Sequence, residues 1–373
     1  MRASSVAPSA GVPASGLDDG LDDDLGASSR RRRYLLLLLG LLAVFCGTVV
    51  AAVGMGSVSV PPPTVLEIVG HHLIGSPAEA TWRSSQDAIV WRVRLPRVLL
   101  GAAVGAGLAV TGTALQAMVR NMLADPYLLG VNSGGSTGAA AAILFGFGAG
   151  WGEHALQAAA FLGALAASLL VFVIARAAGR ITSTRLLMTG VAVGYALYAL
   201  TSFLIFASDS AEGSRSVLFW LLGTLALAHW SAPLAVVLVA VALVTALLTL
   251  WGRRLDALAL GDETAHTLGI SPTRFRLVLL VLVSLAVGVL VAAAGSIGFV
   301  GLVIPHLARR AVGATHRRAV PVAALIGATF LLWADLAARM ILSPQELPIG
   351  IITALVGAPF LLILVRRLHA GSE

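Results

Sequence analysis

Arg30-Arg31-Arg32-Arg33-Tyr34-Leu35-Leu36-Leu37-Leu38-Leu39-Gly40-Leu41-Leu42-Ala43-Val44-Phe45-Cys46 opens the first of ten apolar stretches that follow one another as far as Leu368. Its uncharged part runs on to Gly56, and a helix needs about 20 such residues to cross roughly 30 Å of hydrocarbon. A signal peptide would have a shorter basic region and a clear small-residue cleavage site. Neither is present, so the run reads as an uncleaved first span. The arginine block in front of it holds the N-terminus in the cytoplasm, because short positively charged segments resist translocation.

The pattern repeats at 97–119, 127–148, 155–178, 186–207, 232–251, 275–295, 298–312, 319–342 and 348–368. The stretch 298–312 is short for a full crossing and contains Pro305 and His306, which suits a half-helix buried among its neighbours. A further amphipathic piece, 214–228, is expected at the outer surface before the sixth span. At 58% hydrophobic and 12% charged, with 40 glycines, the chain has the composition of a bundle in lipid. The predicted fold class is all-α: one polytopic membrane domain of ten helices over residues 34–373. Residues 1–33 are Ser, Ala, Gly and Pro around an acidic cluster (Asp18, Asp19, Asp22, Asp23, Asp24), and are expected to form a disordered tail.

All 25 basic residues are arginine. Without lysine there is no phosphate-cradling G-x-x-x-x-G-K-[ST] loop and no Schiff-base enzyme, so any ATP that drives this protein is hydrolysed by another chain. With the N-terminus inside, the inner segments collect Arg30 to Arg33, Arg120, Arg176, Arg180, Arg185, Arg253, Arg254, Arg274, Arg276, Arg309, Arg310, Arg317, Arg318, Arg366 and Arg367. The outer segments keep Arg83, Arg92, Arg94, Arg97, Arg215 and Arg339. This asymmetry predicts both termini in the cytoplasm. The net charge of +7 comes from short clusters between apolar runs, a membrane pattern with no nucleic-acid partner implied. Cys46 is the only cysteine and His71 and His72 sit together in an outer loop, so neither disulfides nor a metal site are expected.

Three places have chemistry to account for. Gly261-Asp262-Glu263-Thr264-Ala265-His266-Thr267-Leu268-Gly269, followed by Pro272, reads as a short helix: acids at its start, a glycine for the left-handed C-terminal position, and a proline beyond. On the arginine-rich side it is either a docking element for a soluble partner or a helix that only tidies the loop. Arg92-Val93-Arg94-Leu95-Pro96-Arg97 sets three guanidinium groups at the mouth of the second span, where they either snorkel to headgroups or meet an acidic partner. Asp335 is the embedded acid, and Arg339 four residues on shares its helix face, so the two are expected to neutralise one another. A faint inverted echo links Asp125-Pro126-x-x-x-Gly130 with Glu346-x-Pro348-x-Gly350.

Several ordered motifs resemble one family. Arg94-Leu95-Pro96-Arg97, Gly105-x-Gly107-Leu108-Ala109-x-Thr111-Gly112-x-x-x-Gln116, Leu123-Ala124-Asp125-Pro126-x-x-Leu129-Gly130, Gly298-Phe299-x-Gly301-Leu302-x-x-Pro305-His306 and Glu346-Leu347-Pro348-Ile349-Gly350 are similar to the permeases of ABC importers for iron-siderophore, haem and vitamin B12. The likeness runs from Tyr34 to the C-terminus. It implies a vitamin B12 importer permease-like fold, a dimer with a second copy or a paralogue, two ATP-binding subunits that hold the ATP and magnesium, and an extracytoplasmic substrate-binding protein. It also implies roles. Gly261 to Gly269 would be the coupling helix to the ATPase. Arg94, Arg97 and Arg339 would meet glutamates of the binding protein, Asn121, Leu123, Ser183 and Thr184 would constrict the cytoplasmic end of the pathway, and helices five, eight and ten would line it. One departure is Met122, where the family usually has proline, which frees a backbone angle beside Asn121.

The expected function is the non-enzymatic permease subunit of an ATP-driven importer in the cell membrane, carrying an iron-siderophore. Haem or vitamin B12 is the alternative cargo. The rival from another class is a proton-coupled transporter built on Asp335.

Overall fold

A computed structural model describes residues 19–56, 58–177 and 182–370, and among these there is no β-strand. The helices are α1 (Asp19–Gly54), α2 (Pro62–Ile74), α3 (Ser84–Val119), α4 (Val131–Phe145), α5 (Ala155–Ala177), α6 (Ser183–Phe206) and α7 (Ala211–Leu221). They continue as α8 (Ala232–Leu250), α9 (Gly252–Leu260), α10 (Asp262–Thr267), α11 (Pro272–Ala294), α12 (Val300–Val312), α13 (His316–Met340) and α14 (Ile349–Ala370). Seven of them, α1, α3, α5, α6, α8, α11 and α13, are long and apolar enough by themselves to cross a membrane. With α4, α12 and α14 they account for all ten predicted spans.

The differences from expectation have local causes. Residues 19–33, expected in a disordered tail, are helical; four of the first six residues of α1 are aspartates, which suit a helix N-terminus. Residues 1–18 of that tail lie outside the described residues. The second span begins at Ser84, not 97, and contains a π-helical stretch, Ala88–Arg94, just before Pro96. Wider turns there accommodate a ring that has no N–H to give the preceding turn. The third span is cut to 15 residues because Gly130 and Gly146 take left-handed angles at its two ends. The amphipathic piece begins at Ala211 and its helix stops at Leu221.

α3 is the axis of the bundle: it packs on α8, α11, α12 and α13, and is buried on almost every side from Leu95 to Val119. A helix apolar all round belongs in such a place. Glycines set how close its neighbours come. A Cβ on Gly112 would lie 2.0 Å from the Gly301 carbonyl oxygen, and one on Gly105 would lie 2.3 Å from that of Gly327. Backbones in lipid approach this closely only over small residues. Gln116 adds a polar tie from α3 to α12: its amide donates to the carbonyls of Gly301 and Leu302, and its oxygen accepts from Arg309 at 2.7 Å. From Leu41 onward, α1 contributes Phe45, Val49, Ala52 and Val53 to a smaller cluster with α2 and the start of α3.

Candidate functional site

At one end of the bundle lies α10. It is a single turn and a half, with Gly269 at φ +75 as the loop reading required. Asp262, expected to cap this helix, makes no capping bond. Its carboxylate instead accepts two bonds from Arg276 on α11, at 2.9 and 2.6 Å, with Arg120 at 3.9 Å. The Arg276 hydrogen bonds hold this carboxyl below the usual carboxylate range, against the upward push of burial. A lowered pKa means that the tie is made above the ordinary carboxylate value of about 3.9 and lost only in stronger acid, so no pH dependence near neutrality is expected from it.

The residues expected to constrict the pathway stand beside this helix. Ser183 donates to the Met118 carbonyl at 3.3 Å, which brings the start of α6 to the end of α3. Asn121 is exposed, and its side-chain oxygen accepts the Leu123 N–H at 2.9 Å in an Asx-turn. The turn closes over Met122, the position where the family usually has proline. Leu123 and Thr184 are also exposed. A second tie was not foreseen: Asp256 on α9 accepts from both the backbone N–H (2.9 Å) and Nδ1 (2.6 Å) of His316, capping α13 from a neighbouring helix.

At the opposite end the three arginines do not form an open docking surface. Arg94 is 6% exposed and donates to the carbonyls of Val53 and Gly54 in the last turn of α1 and to that of Val58 just beyond it. Arg339 is 8% exposed and reaches the carbonyls of Ala52 and Met55, with its Nε 3.0 Å from Asp335 Oδ2. Arg97 alone reaches the surface cavity at this end. Its Nε and Nη2 face Asp335 Oδ1 at 3.0 and 2.9 Å, and its Nη1 donates to Glu346 at 2.8 Å. The cavity, about 580 Å³, also receives Arg215, Glu212 and Trp220. Carbonyls at a helix C-terminus attract cations, and this pulls Arg94 and Arg339 inward. Arg94→Gln is therefore expected to lower thermal stability in detergent, at about 1–3 kcal/mol for carbonyls left unpaired. Binding of any outer partner should keep its salt dependence.

α6 carries one more unassigned feature. Thr184, Met188, Val191, Tyr195, Tyr198, Ser202 and Phe206 recur at helical spacing and are all exposed. Tyr195 and Tyr198, at mid-helix, are 72% and 67% exposed, and their hydroxyls have no partner among the described residues. Among those residues, no three of His, Cys, Asp and Glu come together as a metal site would need.

Residues 17–367 match the FecCD transport family. The chain belongs to the FecCD transport family. This FecCD chain is 45% identical over 283 residues to the cobalamin import system permease BtuC of Halobacterium salinarum, covering 75% of this chain and 74% of that one. To the hemin transport system permease HmuU of Yersinia pestis it is 40% identical, covering 77% and 86%. Its fold is similar to a solved ABC transporter described as of metal-chelate type, in an inward-facing conformation. The TM-score is 0.77 at 34% identity, covering 89% of this chain and 99% of that one. The FecCD chain is thus a multi-pass permease of an ABC importer family.

Sequence reading missed Arg276, Asp256 and His316 as site residues. Each finds its partner far along the chain or on another helix, and no spacing rule marks it.

Proposed function

We propose that this FecCD permease carries a metal chelate built on a flat tetrapyrrole, a corrinoid or haem, inward along a pathway between two permease copies. The observation that carries this reading is the α6 stripe. Tyrosine hydroxyls at the middle of a span, unpartnered in hydrocarbon, would each cost about 1–3 kcal/mol, so this face meets a wet pathway or a second copy in place of lipid. Two aromatic faces at i and i+3 suit a planar conjugated cargo with polar edges. The names of the BtuC and HmuU relatives agree with such a cargo. The second reading, an iron-siderophore, is favoured by the broader metal-chelate type of the solved neighbour.

Both termini lie inside in this proposal, α10 seats in a partner ATPase that holds ATP and magnesium, and Arg97, with Glu346 and Arg215 around it, faces an extracytoplasmic binding protein. Exposed ion pairs contribute only about 0.2–1 kcal/mol each, so the exposed rim charges Glu346 and Arg215 around Arg97 steer and orient docking more than they tighten it. Asn121, Leu123, Ser183 and Thr184 form the inner constriction. The two walls then rock between outward- and inward-open states as the ATPases close.

Uptake of radioactive cobalt as cobalamin, of iron as haem and of iron as a mixed siderophore pool, in cells lacking and regaining the gene, tests the cargo. Loss and recovery of cobalamin or haem uptake is the expected result, and loss of siderophore uptake alone would give the cargo to the second reading. Gly269→Pro tests α10: the protein should insert normally while loaded binding protein no longer stimulates ATP hydrolysis. Normal stimulation in that variant would remove α10 from the coupling role.

A further inference from the structure

Arg276 is 2% exposed, lies just over one turn into α11, and joins α10 to the last turn of α3 by hydrogen bonds, where the exposed Arg120 reaches Asp262 only at 3.9 Å. Its two terminal nitrogens grip Asp262, the first residue of α10, while its Nε donates to the Met118 carbonyl at 3.3 Å. Met118 is fully buried in the last turn of α3, and its carbonyl also accepts from Ser183 at the start of α6. Immediately beyond it the chain turns through Arg120, a non-glycine residue at φ +53, into the Asn121–Leu123 Asx-turn.

We propose that Arg276 is the positioning residue that transmits displacement of α10 to the inner constriction. The guanidinium is planar, with its three nitrogens rigidly spaced, so a fork closed on a carboxylate at one edge and an N–H fixed to a carbonyl at the other make a strut. A movement of Asp262 is passed to the Met118 carbonyl, and from there to the turn that presents Asn121 and Leu123 and to the end of α6 that presents Ser183. Lysine cannot do this, because an ammonium is a point donor on a flexible stem. Asp262 is 44% exposed and so movable, whereas Arg276 and Met118 are buried and stiff. This rests on the reading of α10 as the element that contacts the ATPase.

The single native cysteine makes the test clean. In a Cys46→Ala background, Leu123→Cys is labelled with a membrane-impermeant maleimide in inside-out vesicles holding the complete importer, without nucleotide and with ATP and vanadate. With Arg276 intact the two labelling rates are expected to differ at least about fivefold, the lower end of a typical coupling between sites. Arg276→Lys and Arg276→Gln should bring that ratio to about one while the ATPase subunit still co-purifies. Asp262→Asn, which keeps one acceptor oxygen for the buried guanidinium, should flatten the ratio in the same way while the ATPase subunit still co-purifies. An undiminished ratio in the lysine variant or in Asp262→Asn overturns the strut. A ratio of one in the unsubstituted protein, or an ATPase that does not co-purify with it, removes the α10 reading and the strut together.

Discussion

Asp335→Ala is expected to cost the fold about 3–5 kcal/mol, the price of leaving buried cations without their counter-ion. The carboxylate is 1% exposed and is shared between Arg97 on α3 and Arg339 on its own helix. Removing it leaves two guanidinium groups that had faced the same carboxylate, with the Arg94 charge acting on Arg339 and, among the described residues, Glu346 at the rim to offset them. The expected readout is loss of the monodisperse peak in size-exclusion chromatography after mild heating. Asp335→Asn separates structure from proton transport. It keeps the shape and one acceptor, so it should melt earlier than the parent yet retain uptake that depends on ATP and ignores a protonophore. A stable asparagine variant that has lost a protonophore-sensitive uptake would instead make Asp335 a proton carrier.

Gly112→Val should be nearly as damaging for a reason that has nothing to do with charge. Even the first carbon of a side chain would sit 2.0 Å from the Gly301 carbonyl oxygen and 2.7 Å from the Gly301 Cα. Both are backbone atoms, and the start of α12 cannot retreat without breaking the Gln116 bonds to Gly301 and Leu302. Overpacking a tight site costs about 1–3 kcal/mol when side chains yield, and more when backbone must move. We expect a lowered melting temperature together with abolished uptake. Gly298→Ala on the same segment is the control, since a Cβ there meets nothing within 4 Å and should leave melting and uptake near those of the parent. Equal damage from both substitutions would mean that this segment tolerates no added bulk anywhere, and that the Gly112–Gly301 approach is not the cause.

Much of the candidate site was legible in sequence as composition and order. The α10 turn was readable because Gly269 permits a left-handed angle that other residues avoid and Pro272 fixes its own φ, whatever surrounds them. The Asp335–Arg339 pair was readable because four residues is one helical turn. The outer arginines were legible as a cluster and misleading as a surface. Arg94 donates to carbonyls some 40 residues earlier in the chain, and Arg97 pairs with Asp335 and Glu346, 238 and 249 residues away. No local rule gives those partners. Arg276 was equally hidden, reading only as one more positive charge on the inner side while its geometry joins Asp262 to Met118.

Sequence alone determined that this chain is an all-helical bundle of ten membrane segments with a short helix between α9 and α11, because hydrocarbon leaves the backbone no partner but itself and hydropathy records that demand residue by residue. Tertiary structure alone decided which charges turn inward and which ends of helices are tied together. Those outcomes depend on how closely α3 approaches α12 and α13, a distance set by glycines facing glycines across the bundle, and an ion pair forms only where that approach brings its two groups within about 4 Å.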